Sequence, residues 1–362
     1  MNTVKPLLPV FEDPILPPAD NESGALRENQ TDTIQKIIPS ISAQETLYCN
    51  SRYGVINPVL SVASPYYCDD PTGWINTLSK DRRAPDVEII VVDDGTGDAA
   101  LDLRVRAKID AWPGPACAIR FHANQGRSSA RNRAINAARG SYVLFLDADM
   151  MPGDDLYLSR YFDVIDRQGS AIVFGGFTTK GVGINRDTML NNSLANQNDC
   201  KPAALRESRG PFAAASNNLL VRRDVFVHEP FDATFQGWGW EDTEWAMRAV
   251  FAGYGLIHID NPAVHVGLDT NEAMLQKYRE AGKNLRRLLD RHPEGYRMTG
   301  AKVARAMSYF PAHKLLRPFY SWAALDTLGV VPMPFRHLAM KLWRASHAAE
   351  ALALPKQDVK DA

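Results

Sequence analysis

Between residues 59 and 149, short apolar runs alternate with helix-length stretches, and this alternation constrains the fold more than any other feature of the chain. The runs are Val59-Leu60-Ser61-Val62-Ala63, Val87-Glu88-Ile89-Ile90-Val91-Val92, residues 116–121 and Tyr142-Val143-Leu144-Phe145-Leu146. Strands buried on both faces of a parallel sheet read as near-continuous apolar segments, because helices cover both sides. Helical patterns fill the gaps at residues 70–80, 98–111 and 128–139. Pro113-Gly114 closes the second and Gly140 the Ala-rich third. Right-handed crossovers between parallel neighbours follow, so the expected class is α/β, a doubly wound, mostly parallel sheet with helices on both faces.

The fourth run stops at Asp147-Ala148-Asp149. Side chains alternate along an extended segment, which puts both carboxylates on one side with Cα atoms roughly 6.5 to 7 Å apart. Two like charges that close call for a cation. Open α/β sheets bind ligands beyond the carboxyl ends of their strands, so a divalent metal with a phosphate-bearing ligand suits this position. A strand that merely runs into an acidic turn would show the same residues.

Composition narrows the rest. The 362 residues allow two domains or one large α/β unit with extensions, and 45% hydrophobic with 23% charged residues is ordinary for a globular protein. A net charge of -1 argues against a nucleic-acid partner. Cys49, Cys68, Cys117 and Cys200 lack metal-site or framework spacing, so a reducing cytoplasm is the simplest compartment. The first twenty residues have no apolar signal-peptide core, and no run of about 18 apolar residues occurs, so no membrane span is expected.

Residues 1–55, rich in Pro, Asn, Glu and Ser with a weak helical hint at 31–38, read as an extension beside the main domain. Residues 178–209 have little periodicity and many Asn and Asp, and read as an irregular functional lid. Two short strands at 255–259 and 263–266 place His265 inside the second. From residue 293 onward, interrupted amphipathic helices carry Trp322, Phe335 and Trp343 among scattered Lys and Arg. Packing onto the domain and peripheral contact with the inner membrane face both fit that tail.

Five motifs occur in one order: Pro65-Tyr66, Val-Val-Asp93-Asp94-Gly, Asn124-Gln-Gly-x-x-x-Ala-Arg131-Asn132, Phe-Leu-Asp147-Ala-Asp149 and Gly-Trp-Gly-Trp-Glu241-Asp242. That order resembles the inverting nucleotide-sugar glycosyltransferases of the GT-A fold, specifically glycosyltransferase family 2. The last motif is also similar to the C-terminal motif of galactosyl- and N-acetylgalactosaminyltransferases. The resemblance covers roughly residues 58–290 and implies a catalytic domain at 56–292, with a helical extension at 293–362.

The resemblance implies roles residue by residue. Asp94 reads the uracil ring, with Pro65 and Tyr66 as the other wall of the base pocket. An acceptor carboxylate suits a ring imide N–H. Arg131 lies near the donor. Asp149 binds Mn²⁺ or Mg²⁺ directly, and Asp147 approaches the ribose or the metal's water shell. His265 falls where related galactosyltransferases carry a metal-binding histidine, although a lone His in a short strand is equally a core residue. Trp238 and Trp240 offer flat faces for the acceptor sugar.

Asp242 would be the general base and Glu241 a contact to an acceptor hydroxyl. Acidic residues in the first turn of a helix also arise simply to complement its dipole. With these roles, a sugar passes from a UDP-sugar to a glycan or lipid-linked acceptor with inversion. Two alternatives stay open: a nucleotidyltransferase that makes the activated sugar, and an inactive glycan-binding protein of the same fold. A Gly-rich basic loop after the first strand, usual in the former, is absent.

Overall fold

The computed structural model describes residues 44–354 except Gln168, so the helical hint at 31–38 lies outside the described residues. The chain runs β1 (Glu45–Cys49), β2 (Leu60–Tyr66), α1 (Thr72–Leu78), β3 (Val87–Asp93), α2 (Ala99–Ala111), β4 (Ala116–Phe121), α3 (Arg127–Ala137) and β5 (Tyr142–Leu146). After β6 (Met150–Met151) come α4 (Tyr157–Asp166), β7 (Ile172–Phe174), β8 (Phe177–Thr178), α5 (Met189–Asn198), α6 (Ala203–Glu207), β9 (Asn218–Arg222) and α7 (Arg223–His228). The remainder is α8 (Glu241–Phe251), β10 (Leu256–His258), β11 (Ala263–His265), α9 (Asn271–Arg291), α10 (Thr299–Ser308), α11 (Arg317–Leu325) and α12 (Met333–Ala353).

Eight strands form one sheet in the order β1-β4-β3-β2-β5-β9-β7-β10, and β6-β11-β8 form a second, small one. The strands β4, β3, β2 and β5 are parallel neighbours, whereas β1 and β9 run antiparallel to theirs. Alternation within each strand accounts for the two cores. Ile90, Val92, Val143 and Phe145 face one side with Ala130 and Ala134 of α3, while Val87, Ile89, Leu144 and Leu146 face the other with Trp74 and Trp112. The alanines of α3 are small enough to let that helix lie close on the sheet.

One charge sits inside this sheet. Glu88 is fully buried on β3 and accepts from Arg139 Nε at 2.7 Å, Arg139 N at 2.9 Å and Ser61 Oγ at 2.5 Å, tying the end of α3 to β2. Gly140 has no room for a side chain there, since a Cβ would lie 2.7 Å from Ser61 N.

The structure departs from the sequence expectations in two places. The sheet begins upstream of residue 56, because β1 pairs with β4 from Glu45↔Phe121 to Cys49↔Cys117. The segment expected to be irregular holds α5 and α6. Leu190 and Leu194 of α5 pack against Met274, Leu275, Met340 and Trp343, a burial supplied by distant helices rather than by local periodicity. The tail is also built in: α10 and α12 share a core with Phe235, Met247 and Leu288. No described helix is long and apolar enough to cross a membrane.

Candidate active site

From β2 the chain moves through β3 to β4, then returns to place β5 on the other side of β2. The crevice at the carboxyl ends of β2 and β5 is therefore the topological switch point, where such sheets bind ligands. A cleft of about 1830 Å³ opens there. All of the sequence candidates line it: Pro65, Tyr66, Asp94, Arg131, Asp147, Asp149, Trp238, Trp240, Glu241, Asp242 and His265.

Asp147 and Asp149 occupy the tight connection from β5 to β6. The second sheet brings the histidine to them, because β6 pairs with β11 in the register His265↔Met150. His265 Nε2 lies 3.0 Å from Asp149 Oδ2, and Val266 N donates to Asp149 O at 2.9 Å. Gly267 completes the cradle, since a Cβ there would come within 2.6 Å of Asp149. Burial pushes the Asp147 carboxyl up to about 6, with the Asp149 charge adding to burial and Arg131 opposing it. For Asp149, burial is outweighed by the His265 hydrogen bond and charge, which hold its carboxyl below the ordinary range. The same pairing raises His265 against the effect of burial.

Among the described residues no three His, Cys, Asp or Glu side chains close around one point. The donor chemistry nevertheless fits a hard divalent cation: carboxylate oxygens plus one imidazole, in a corner where Asp147, Asp149, Glu241 and Asp242 outnumber Arg131 and His265.

Arg131, expected near the donor, lines the cleft and reaches three carboxylates. It is only 2% exposed, and its Nη1 lies 3.2 Å from Glu241 Oε1 and 3.1 Å from Asp242 Oδ1, with Asp147 Oδ1 3.9 Å from Nη2. Burial alone would lower its pKa, but these three carboxylates outweigh burial and raise it. The residue comes from the inward face of α3 and meets the start of α8 in the wall of the cleft. Glu241 turns toward the same guanidinium. It is buried, one oxygen faces Arg131, and Oε2 has no hydrogen-bond partner among the described residues.

Asp242 is more accessible, with its side chain 24% exposed. Its Oδ1 accepts from Ser216 Oγ at 3.0 Å as well as facing Arg131, and its Oδ2 accepts from Ser216 N at 3.1 Å. A carboxylate has about four lone-pair sites. Ser216 fills one on each oxygen and the Arg131 charge sits against Oδ1, so Oδ2, away from that charge, keeps room for a further donor.

At the opposite wall, Asp94 Oδ1 accepts from Gln125 N at 2.7 Å and Oδ2 from Gly126 N at 3.0 Å, which fixes the loop ahead of α3. Burial raises its pKa despite these bonds. Tyr66 borders the cleft, but its ring belongs to the core with Leu60 and Val62, on the same face of β2. Tyr67, past the strand end, is the exposed aromatic on that wall. Trp238 packs on Tyr278 with centroids 5.7 Å apart, and the Arg344 guanidinium lies 4.5 Å from the Trp240 ring centroid and 4.9 Å from that of Tyr278. One face of Trp240 therefore carries a cation from α12, not an open platform.

Sequence reasoning missed Ser216, Tyr67 and Arg344. The strand alternation that sends Tyr66 inward was a usable signal for Tyr67. Nothing local marks Ser216 or Arg344, whose partners lie 26 and 104 positions away.

Comparison with known proteins agrees with this architecture. Residues 75–228, from α1 to α7, match the family described as Glycosyl transferase family 2. The uncharacterized glycosyltransferase EpsJ of Bacillus subtilis (strain 168) is 39% identical over 108 residues, 29% of this chain and 28% of that protein. Glycosyltransferase AglE of Haloferax volcanii is 28% identical over 205 residues, 55% of this chain and 64% of that protein. A dolichyl-phosphate beta-glucosyltransferase of Dictyostelium discoideum is 30% identical, with 36% of its length matched. The chain thus spans less than two thirds of the length of these curated relatives. Among solved structures, mannosyltransferase PcManGT from Pyrobaculum calidifontis, in complex with GDP-Man and Mn²⁺, superposes with a TM-score of 0.53 at 15% identity, covering 83% of this chain and 89% of that one. The fold is GT-A.

Proposed function

We propose that this GT-A chain is a metal-dependent, inverting glycosyltransferase that moves a hexose, such as galactose or N-acetylgalactosamine, from a UDP-sugar to a glycan or lipid-linked acceptor. One observation carries the reading: a partly exposed carboxylate with acceptor capacity to spare, Asp242, faces the same switch-point cleft as the Asp147, Asp149 and His265 corner. A Mn²⁺ or Mg²⁺ ion held by Asp149 and His265, with Asp147 beside it, would supply positive charge for the leaving diphosphate.

The rest is done by the chain's own residues. Asp94 and Tyr67 line the wall suited to the base, with Asp94 offering an acceptor to a ring imide. Arg127, exposed at the start of α3 and lining the cleft, is the cation available to the diphosphate, since Arg131 is spent on carboxylates. Asp242 Oδ2 takes the proton of the acceptor hydroxyl as that oxygen attacks the anomeric carbon from the face opposite the diphosphate, which inverts its configuration. Arg131 and Ser216 keep the Asp242 carboxylate aimed, and Glu241 holds Arg131 in place.

A screen of UDP- and GDP-sugars tests the proposal, following free nucleotide with and without acceptors, in Mn²⁺, in Mg²⁺ and in chelator. Metal-dependent release of UDP that increases with acceptor is the expected result. Release from GDP-sugars alone would overturn the donor assignment. Diphosphate production from a nucleoside triphosphate and a sugar phosphate would replace the transferase with a nucleotidyltransferase.

A further inference from the structure

The chain is nearly neutral overall, yet its charge is segregated. Residues 295–350 contain eight Lys and Arg against two acids, Asp326 and Glu350; Asp326 is buried, its side chain accepting from Val330 N and Val331 N and lying near Arg336, and Glu350 pairs with Lys314 and Arg317. Within this basic layer, α11 is amphipathic in two directions. Tyr320, Ala323 and Ala324 point into the core shared with α5, α9 and α12. Its other side carries Phe319 and Trp322, whose rings pack 5.8 Å apart and which are 59% and 45% exposed. The turn before it adds Tyr309, Phe310, Leu315 and Leu316, with Phe310 at 70% and Leu315 at 81%. Six large apolar side chains within fourteen positions are far more than scattered surface residues require.

This face connects to the cleft. The first turns of α10, with Met298, Thr299 and Val303, line the cleft, and the far end of the same helix runs into Tyr309 and Phe310. A helix of this length spans roughly 15 Å, so the apolar face lies about that far from the rim. Lys302 and Arg305 project from the helix between them and are exposed.

We propose that the α10–α11 face docks on an anionic lipid bilayer, seating Phe310, Leu315, Phe319 and Trp322 in the interface, and so presents the acceptor end of the cleft to a membrane-borne lipid-linked acceptor. Aromatic and aliphatic side chains flanked by the exposed Lys302, Arg305 and Lys314, with no spanning helix among the described residues, are the chemistry of an interfacial rather than an inserted contact. The acceptor half of the proposal rests on the transferase reading; the docking half does not.

Co-sedimentation of the full chain with vesicles tests docking without any donor. Binding to equimolar phosphatidylcholine–phosphatidylglycerol vesicles, and not to phosphatidylcholine alone, is expected. The triple variant Phe310→Ser, Leu315→Ser, Phe319→Ser and the double variant Lys302→Glu, Arg305→Glu should each weaken it by about tenfold or more. Unchanged unfolding temperature and unchanged transfer to a water-soluble acceptor would show that fold and site are intact. Transfer to a lipid-linked acceptor in the anionic vesicles should fall in step with binding. A wild-type chain that stays in the supernatant, or binds both vesicle types equally, overturns the proposal. So does a triple variant that keeps full vesicle binding while losing concentration-dependent self-association, which would assign the face to a second copy. Turnover without vesicle binding sinks docking alone, and vesicle binding without nucleotide-sugar binding sinks the transferase reading alone.

Discussion

Replacing Asp242 with Asn keeps the shape of the side chain and removes the proton acceptor. Asp242 Oδ1 faces Arg131 Nη1 at 3.1 Å and Ser216 Oγ at 3.0 Å, while Oδ2 accepts from Ser216 N at 3.1 Å. The asparagine carbonyl will take the Arg131 side, which turns its amide nitrogen toward the Ser216 N–H. One hydrogen bond is lost and another loses its charge assistance, a cost of about 1 to 3 kcal/mol, or several degrees in Tm. Donor affinity, measured by calorimetry with UDP-sugar and Mn²⁺, should persist because Asp94, Asp149 and His265 are untouched. Transfer should fall by roughly 10² to 10⁴, about 2.7 to 5.4 kcal/mol in the barrier, since a carboxamide is too weak a base to take the hydroxyl proton. If Glu241 and Asp242 only complement the dipole of α8, each substitution instead costs at most about 1 kcal/mol of stability and turnover survives. Near-normal transfer by Asp242→Asn with intact donor binding would refute the assignment and move the base elsewhere. Glu241→Gln serves as the control: it loosens Arg131, so it should lower kcat and Tm while leaving the KM for acceptor nearly unchanged.

Asp149→Ala should abolish Mn²⁺-dependent UDP-sugar binding with little loss of stability, and His265→Ala should weaken it less; unchanged calorimetric affinity in the first would remove Asp149 from the metal. Glu88→Gln strands Arg139 and Ser61 beneath the sheet and should cost roughly 3 to 5 kcal/mol by denaturant titration; a loss under 1 kcal/mol would mean that water reaches the pair. Lys314 and Arg317 hold Glu350 at about 2, below its ordinary 4.5, through hydrogen bonds and charge. A depressed carboxylate stabilises the fold above its unfolded pKa, and that contribution is lost as pH falls from about 4.5 toward 2. The group is partly exposed, so the effect is screened. Glu350→Gln should flatten the acid limb of thermal stability in that window, with a small loss at neutral pH that vanishes as pH falls toward 2.

Much of the sheet was legible because its information is local. An apolar run of five or six residues followed by Gly, Asp or Pro specifies a buried strand wherever it lies, and β3, β4 and β5 appear within a residue of their expected limits, while β2 continues three residues past its expected end to Tyr66. The Asp147 and Asp149 pair could be placed at a ligand crevice for the same reason, since strand ends and alternation are properties of the segment itself. β1 and α5 were not legible. The first is a half-buried edge strand that exists through pairing with β4, and the second is held by apolar contacts with α9 and α12.

The division between what the chain reveals and what the fold decides falls at the partners of each polar group. Strand order placed Asp94, Asp147 and Asp149 at one crevice, and the resemblance added Glu241 and Asp242. Neither could determine that Arg131 would turn its guanidinium to carboxylates 110 and 111 positions later, leaving Glu241 buried against it and Asp242 the more accessible of the two. Nor could either set Arg344 on Trp240 or turn the aromatic side of α11 outward. A side chain's periodicity says which way it points from its own backbone. What it meets there depends on segments brought together by burial of apolar surface elsewhere in the chain, and so the hydrogen-bond partners that define the chemistry exist only once the tertiary structure has closed.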